Sequence, residues 1–165
     1  MIKVTTGLQM KDYDLRFIRM AIDTARNSRT KSNHPFGAIL VDENGSFLLK
    51  AENTAVTEND PTGHAELNLI RQASLRYNSD HLAKCTLYCS TEPCPMCAGA
   101  IFWANIRRVV YGLSEANLYT MTGKESEEVL HLPCRELFAR GKKQIEVIGP
   151  LLEDEAREVH LDYWH

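Results

Sequence analysis

The chain has 165 residues, of which 44% are hydrophobic and 25% charged, a composition typical of a globular protein with a sizeable core. Nineteen basic and 22 acidic residues give a net charge of −3, which disfavours a chain built mainly to bind nucleic acid. No apolar run has the length of a membrane span. Five cysteines, an odd number, favour a reducing compartment, and we expect a cytoplasmic protein without membrane contacts.

Hydrophobic periodicity and turn residues predict ten elements in alternating order. These are a helix at 12–29, strands at 36–41 and 47–49, a helix after His64, a strand at 85–90, a helix at 95–104, a strand at 108–113, a helix at 132–140, a strand at 144–149 and a helix at 152–164. Asn44-Gly45 marks a hairpin, Thr62 or Gly63 caps the second helix, and residues 114–132 are mixed and polar. This order predicts one α/β domain over residues 1–165, a three-layer α/β/α sandwich around a mixed sheet of about five strands.

Two short motifs carry the chemistry. His64-Ala65-Glu66 is followed by Pro93-Cys94-Pro95-Met96-Cys97. His64, Cys94 and Cys97 supply three ligands for one Zn²⁺ per chain, and three protein ligands leave a fourth position of a tetrahedral ion open for reaction. Cys94 and Cys97 are three positions apart and share one face of a helix start, where the positive end of the dipole favours thiolates.

Glu66 is the candidate catalytic residue, because a carboxylate near the metal but outside its ligand set can carry protons in both directions. The alternative is a structural zinc site with a fourth ligand among the remaining thiols of Cys85, Cys89 and Cys134. Cys85 and Cys89 lie in an alternating strand and Cys134 at a helix start, and all three favour core packing. The structural alternative also leaves Glu66 unexplained.

Residues 60–66 and 90–100 resemble the zinc deaminases of the cytidine deaminase superfamily, in particular its guanine deaminase and tRNA adenosine deaminase branch. The resemblance extends from about Asp12 to Gly149. It implies the cytidine-deaminase-like fold, hydrolytic release of ammonia and a homodimer. The apolar run Ile101-Phe102-Trp103 is a candidate for the contact between copies, although core packing explains it equally well.

The same resemblance implies substrate contacts. Asn53 stands where related deaminases hydrogen-bond the base, and Phe36 stands at the entry of the first strand, where its ring stacks on substrate or packs in the core. Glu115 falls where related enzymes place a polar contact, although its surroundings favour a solvated side chain. Trp164 belongs to an aromatic end, Tyr163-Trp164-His165, that either closes the pocket or packs the last helix.

These residues predict a deaminase of a small free nucleobase or nucleoside, with guanine or a related aminopurine as the first candidate. The alternative is a tRNA-specific adenosine deaminase, since both motifs fit it equally well. The last helix carries five acidic residues and only one basic residue, Arg157, which disfavours contact with phosphate. Arg107-Arg108 and residues 140–143 are basic clusters that we interpret as solvated ends of helices or strands, although Arg107-Arg108 also suits a phosphate track.

Overall fold

The computed structural model describes residues 10–123 and 125–164. Its five strands form one sheet in the order β2-β1-β3-β4-β5. The strands are β1 (Gly37–Val41), β2 (Phe47–Glu52), β3 (Thr86–Thr91), β4 (Arg108–Leu113) and β5 (Glu146–Ile148). β1 runs antiparallel to β2 and β3, whereas β3, β4 and β5 are parallel, so the mixed sheet predicted from the sequence is confirmed.

Helices cover both faces of this sheet. They are α1 (Asp14–Thr30), α2 (Ala65–Arg76), α3 (Ser79–Leu82), α4 (Pro95–Trp103), α5 (Glu115–Thr122), α6 (Cys134–Ala139) and α7 (Glu153–Glu158). Buried residues of α2, α3, α4 and α6 form one core with the sheet, and those of α1, α5 and α7 form the other. Every residue of β3 and β4 is buried, as expected for central strands that are covered by helices on both faces. The three-layer α/β/α sandwich is therefore confirmed.

The predicted hairpin is present at Asn44-Gly45. Gly45 adopts a φ of +80°, a conformation that suits glycine, and β1 pairs with β2 directly across the turn. Cys85, Cys89 and Cys134 are buried with at most 1% of their surfaces exposed, so the prediction of core packing for these three thiols is confirmed.

The helix boundaries correct three predictions. α2 is capped by His64 itself and not by Thr62 or Gly63, and the segment assigned no regular structure contains α5, which Ser114 caps by accepting from the Asn117 amide. α3 is a further short helix that the periodicity did not show. α7 ends at Glu158 instead of Trp164, because Arg29 donates to the carbonyls of Val159 and Leu161 and holds the following residues as turns.

Arg108 corrects a fourth prediction, because it is only 7% exposed rather than solvated. Its guanidinium donates to both carboxyl oxygens of Asp14, at 2.9 and 2.7 Å, and its Nε donates to Glu146 at 3.0 Å. The Tyr88 hydroxyl donates to the same Asp14 carboxylate at 2.5 Å. Arg108 ties α1 to β4 and β5 from inside the fold and cannot form part of a surface track for phosphate.

None of the helices in the described parts of the chain is long and apolar enough to cross a membrane.

Candidate active site

The site lies at one edge of the sheet, where the parallel strands β3 and β4 end. β3 leads into Glu92-Pro93-Cys94, and β4 leads through Ser114 into α5. The antiparallel strand β1 begins at the same edge with Gly37, whose amide donates to Ser90 Oγ at 3.0 Å. The carboxyl ends of parallel strands are the usual place for ligands in sheets of this kind, since helices begin there with unpaired N–H groups.

His64 and Glu66 converge because the helix begins between them. His64 is the extended N-cap of α2, with φ −73° and ψ 149°, and Glu66 is the second helical residue. The His64 side chain makes no cap hydrogen bond to α2, and its Nδ1 lies beside the thiols of Cys94 and Cys97 instead.

Cys94 repeats this arrangement on the neighbouring helix. It is the extended N-cap of α4, Pro95 occupies the first turn, and Cys97 lies three residues further on the same face. Two helix N-termini therefore point their positive dipole ends at one group of ligand atoms, as the two motifs predicted.

The spacing of these three side chains fits a zinc ion. His64 Nδ1 lies 3.5 Å from Cys94 Sγ and 3.6 Å from Cys97 Sγ, and all three ligand atoms lie within 4.8 Å of one another. Tetrahedral zinc with ordinary bond lengths places a nitrogen and a sulfur ligand about 3.5 Å apart. His64, Cys94 and Cys97 are thus placed so that they could hold one Zn²⁺, with His64 binding through Nδ1.

The two thiols also show why a cation suits this position. The Cys97 thiol donates towards Cys94, which lowers the pKa of Cys94 to about 4, while this shared hydrogen bond and burial raise the pKa of Cys97 well above its ordinary value. Two adjacent thiols sharing one proton are readily converted into a pair of thiolates by a divalent ion that replaces the proton.

Glu66 lies in the wall of the same cavity and is 5% exposed. Burial raises the pKa of its carboxyl to about 7, although the charge of His64 opposes the shift. The side chain is thus next to the metal ligands, shielded from bulk water and outside the ligand set.

The cavity has a volume of about 570 Å³ and joins the metal ligands to a wall of aromatic rings. Phe36, His34 and Trp164 line this wall, and the His34 and Trp164 rings are stacked with their centroids 5.5 Å apart. This volume lies in the range of pockets that enclose small organic ligands. The arrangement combines residues that could hold a metal, a candidate proton carrier and flat aromatic surfaces in one cavity.

Comparison with known proteins agrees with this geometry. Residues 11–113 match the family described as the cytidine and deoxycytidylate deaminase zinc-binding region. The chain belongs to the cytidine deaminase superfamily. Membership of this family and the similarity to known deaminases make it a zinc-dependent hydrolytic deaminase, as both motifs predicted.

Individual relatives within the superfamily differ in their substrates. A probable cytosine deaminase of Schizosaccharomyces pombe is 41% identical over 160 residues, covering 96% of this chain and 97% of that protein. A guanine deaminase of Bacillus subtilis is 39% identical over 104 residues, covering 57% and 66%. A solved structure from a study of A-to-I editing by tRNA:A34 deaminases at the wobble position is 30% identical, with a TM-score of 0.68, covering 87% and 98%.

Glu115 corrects the expectation of a solvated side chain, because it is only 2% exposed and lies in the cavity wall. Tyr119 donates to its Oε1 at 3.1 Å, while Oε2 makes no hydrogen bond among the described residues, although His131 Nδ1 lies within ion-pair distance at 3.4 Å. Burial, with a smaller contribution from the nearby Glu92 carboxylate, raises the pKa of Glu115 to about 7. A buried carboxylate oxygen without a hydrogen bond is rare in folded proteins, so Glu115 is a candidate for contact with a ligand in the cavity.

Asn53 and Trp164 are both held by hydrogen bonds. Asn53 is 1% exposed, and its Oδ1 accepts from the amide of Ala55, a residue of the cavity wall. Trp164 Nε1 donates to His160 Nδ1 at 3.1 Å. Of the expected aromatic end, His165 lies outside the described residues.

His160 anchors the aromatic wall and was not expected to lie near the site. It is 1% exposed, and burial lowers its pKa to about 4, so the ring is neutral at ordinary pH. Because Trp164 can only donate, His160 Nδ1 accepts and its Nε2 carries the proton, facing Thr91 Oγ1 at 3.4 Å. Trp164 is therefore tied to the end of β3, directly before the metal motif.

His34 was also missed as a pocket residue. Its Nδ1 lies 2.8 Å from the Tyr163 hydroxyl and its ring lines the cavity. Neither His34 nor His160 has a neighbour at ligand spacing, so the sequence offered no signal beyond two histidines and a cluster of terminal aromatic residues.

Proposed function

We propose that the enzyme deaminates a free nucleobase or nucleoside, with guanine or a related aminopurine as the first candidate. The observation that carries this proposal is the cavity of about 570 Å³, which is lined by His64, Cys94 and Glu66 and also by the rings of Phe36 and Trp164. A bicyclic base offers two large faces for such stacking, and aromatic side chains bind bases mainly in this way.

In this proposal His64, Cys94 and Cys97 hold the zinc. When bound, the ion supplies Lewis acidity and lowers the pKa of water, which makes a nucleophile at neutral pH. Glu66 takes the proton that the attacking water loses and passes it to a ring nitrogen. It then takes the proton of the hydroxyl group added to the ring carbon and delivers it to the exocyclic amine, which leaves as ammonia while that carbon gains a carbonyl oxygen.

Four side chains orient the base. The Phe36 and Trp164 rings contact its faces, and Asn53 donates to its edge through Nδ2, since its Oδ1 is already engaged by Ala55. Glu115 contributes the oxygen that has no hydrogen bond among the described residues. An edge read by fixed polar groups in a buried pocket discriminates strongly against bases that leave those groups unpaired.

Cytosine is the second candidate. The relative that supports it, the probable cytosine deaminase of Schizosaccharomyces pombe, is 41% identical and aligns over 96% of this chain. The guanine deaminase of Bacillus subtilis aligns over 57% of it. The wide aromatic cavity favours a bicyclic ring, whereas the longer alignment favours a pyrimidine.

tRNA is disfavoured as a substrate. Arg108, one residue of the basic pair that suits a phosphate track, is buried against Asp14. Of the acidic residues of α7, Glu153 accepts from the Ser114 amide and Glu155 pairs with Arg19, but Asp154 and Glu158 remain exposed. Exposed carboxylates beside a pocket repel phosphate and leave a neutral base unaffected.

Ammonia release from guanine, adenine, cytosine, their nucleosides and an anticodon stem-loop tests this proposal. We expect guanine or another aminopurine to give the highest kcat/KM. Preferred turnover of cytosine would transfer the assignment to the second candidate. Salt-sensitive turnover of the stem-loop without activity on free bases would contradict the proposal.

We also propose a homodimer formed through α4. All nine residues of this helix are apolar, glycine, proline or cysteine, yet only Cys97, Ala98 and Ile101 are buried. Trp103 is 80% exposed, and a Cβ built on Gly99 would meet nothing within 4 Å. Helices that are apolar all round are normally buried, and a second copy would cover this face. Ile101, by contrast, is a core residue.

A further inference from the structure

Glu92 is a buried carboxylate that the proposed chemistry does not use. It follows β3, two residues before Cys94, and is 8% exposed. Its own amide donates to the Leu113 carbonyl at 2.7 Å, which continues the pairing of β3 with β4 to the edge of the site. A charged side chain at this depth requires partners for its oxygens.

Both of its oxygens accept backbone N–H groups from helix starts. Oε2 accepts from the Glu115 amide at 3.0 Å, and Oε1 accepts from the Cys134 amide at 3.2 Å. Glu115 is the first residue of α5, and Cys134 is the first residue of α6. A single carboxylate therefore joins two helices to the segment that carries Cys94.

A carboxylate suits this junction better than any neutral side chain. The first N–H groups of a helix have no partner within it and carry the positive end of its dipole, so a negative group there is stabilised twice. Hydrogen bonds to an ionised acceptor are also shorter and stronger than neutral ones. A glutamine offers one accepting oxygen and would place its NH₂ group against the second amide.

We propose that Glu92 is a positioning residue for the deamination. By accepting a hydrogen bond from the first amide of α5, Glu92 fixes the position of the Glu115 carboxyl relative to the metal ligands. This position sets the affinity for the base. The inference rests on the proposed contact between Glu115 and substrate. Ser114 caps α5 locally, but Glu92 connects the start of this helix to the metal segment. Loss of the hydrogen bond between Glu92 and the Glu115 amide lets α5 shift while Cys94 remains in place.

Steady-state kinetics of Glu92→Gln on the best wild-type substrate test this role. KM should rise at least about tenfold, the size expected when a buried hydrogen bond to a charged group is lost. kcat should change by less than about threefold and zinc should stay at one per chain, because the hydrogen bonds of the Glu92 carboxylate go to the amides of Glu115 and Cys134 and not to the metal ligands or Glu66. If the Gln variant does not fold, Glu92→Asp, which keeps the charge on a shorter side chain, should raise KM in the same direction.

Glu146→Gln is the matched control. Glu146 accepts from Arg108 Nε at 3.0 Å at the opposite edge of the sheet, and its side chain is 36% exposed, so Glu146→Gln weakens one charged hydrogen bond without touching the site. Both variants should lower the melting temperature, but only Glu92→Gln should raise KM. An unchanged KM in Glu92→Gln, or an equal rise in both variants, would overturn the inference.

A double-mutant cycle with Glu115→Gln tests the route of the effect. If Glu92 acts through Glu115, Glu92→Gln should add little to the rise in KM already caused by Glu115→Gln. Fully additive effects would refute the proposed route. Hydrogen exchange at the Glu115 amide gives a readout independent of substrate: Glu92→Gln should accelerate it even if the assigned base is wrong, and unchanged protection would refute the inference while leaving the proposed function intact.

Discussion

Charged groups are buried at both edges of the sheet, but the two edges differ in how completely these groups are hydrogen-bonded. At the edge where β4 begins, Asp14 receives two hydrogen bonds from Arg108 and one from Tyr88, and Arg108 also reaches Glu146. At the edge where β3 and β4 end, three ligand side chains and Glu66 converge on a cavity. Here the buried Glu115 keeps one oxygen without a hydrogen bond among the described residues.

This difference separates a structural from a functional use of buried charge. A fully paired group contributes to stability, and its loss leaves a buried partner poorly compensated. Incompletely paired groups reduce stability but are available to a metal and a substrate. Substitutions at the first edge should therefore change the free energy of unfolding, and those at the second should change metal content or kinetics.

The largest effect is expected from removing one metal ligand. Cys94→Ala should lose zinc and all measurable deamination, because two remaining ligands bind the ion weakly. Metal analysis of the purified variant checks this, with Cys85→Ala as the control, since Cys85 is a buried thiol in the core. A full equivalent of zinc in Cys94→Ala would show that the ligand set is different.

At the opposite edge, Asp14→Asn should lower the free energy of unfolding by about 3 kcal/mol, as expected when one partner of a buried ion pair is removed. kcat/KM should stay within about twofold at temperatures well below unfolding. Denaturant titration with activity assays measures both. Asp23→Asn is the control, since Asp23 pairs with Arg26 at the surface of the same helix and should cost less than about 1 kcal/mol.

The Asp14 pair also predicts a pH dependence. Burial opposes ionisation of Asp14, but the hydrogen bonds from Arg108 and Tyr88 outweigh it and hold its pKa below the ordinary value of 3.8. A carboxyl with a depressed native pKa stabilises the fold above about pH 4, and this contribution is lost as the pH falls through the native pKa. Wild-type stability should therefore decline more steeply below pH 4 than that of Asp14→Asn; parallel declines would contradict this assignment.

The two tryptophans allow a comparison with smaller expected effects, because Trp164 lines the cavity and Trp103 is exposed on α4. Trp164→Ala should raise KM about tenfold, the size of one lost stacking contact with a base, and leave zinc content unchanged.

Trp103→Ala should leave KM unchanged and weaken the dimer. Light scattering at micromolar concentration checks the second part: wild type should have twice the chain mass of 18.7 kDa and the variant a lower average. A wild-type mass of one chain would contradict the dimer.

The layers and the metal ligands could be predicted because their signals are local. Asn44-Gly45 defines a hairpin, and Cys94 and Cys97 are one helical turn apart. In the pocket wall, Phe36, Glu115 and Trp164 were expected only from the family resemblance. His34 and His160 could not be predicted, since no local pattern connects them to the site and both are placed by the packing of the last residues of the chain. Glu92 had one signal, a charge at the end of a buried strand directly before the metal motif, but its partners are the starts of two helices far along the chain.

The measurement that tests the central claim most directly is ammonia release by Glu66→Gln compared with wild type at equal zinc content. Gln keeps the shape of Glu66 and removes its basic oxygen. kcat should therefore fall at least about a hundredfold, which is the lower end of the rate enhancement that general acid–base catalysis provides. Circular dichroism and zinc content should match the wild type. A loss of only a few fold with zinc retained would show that another group carries the protons and would contradict the account.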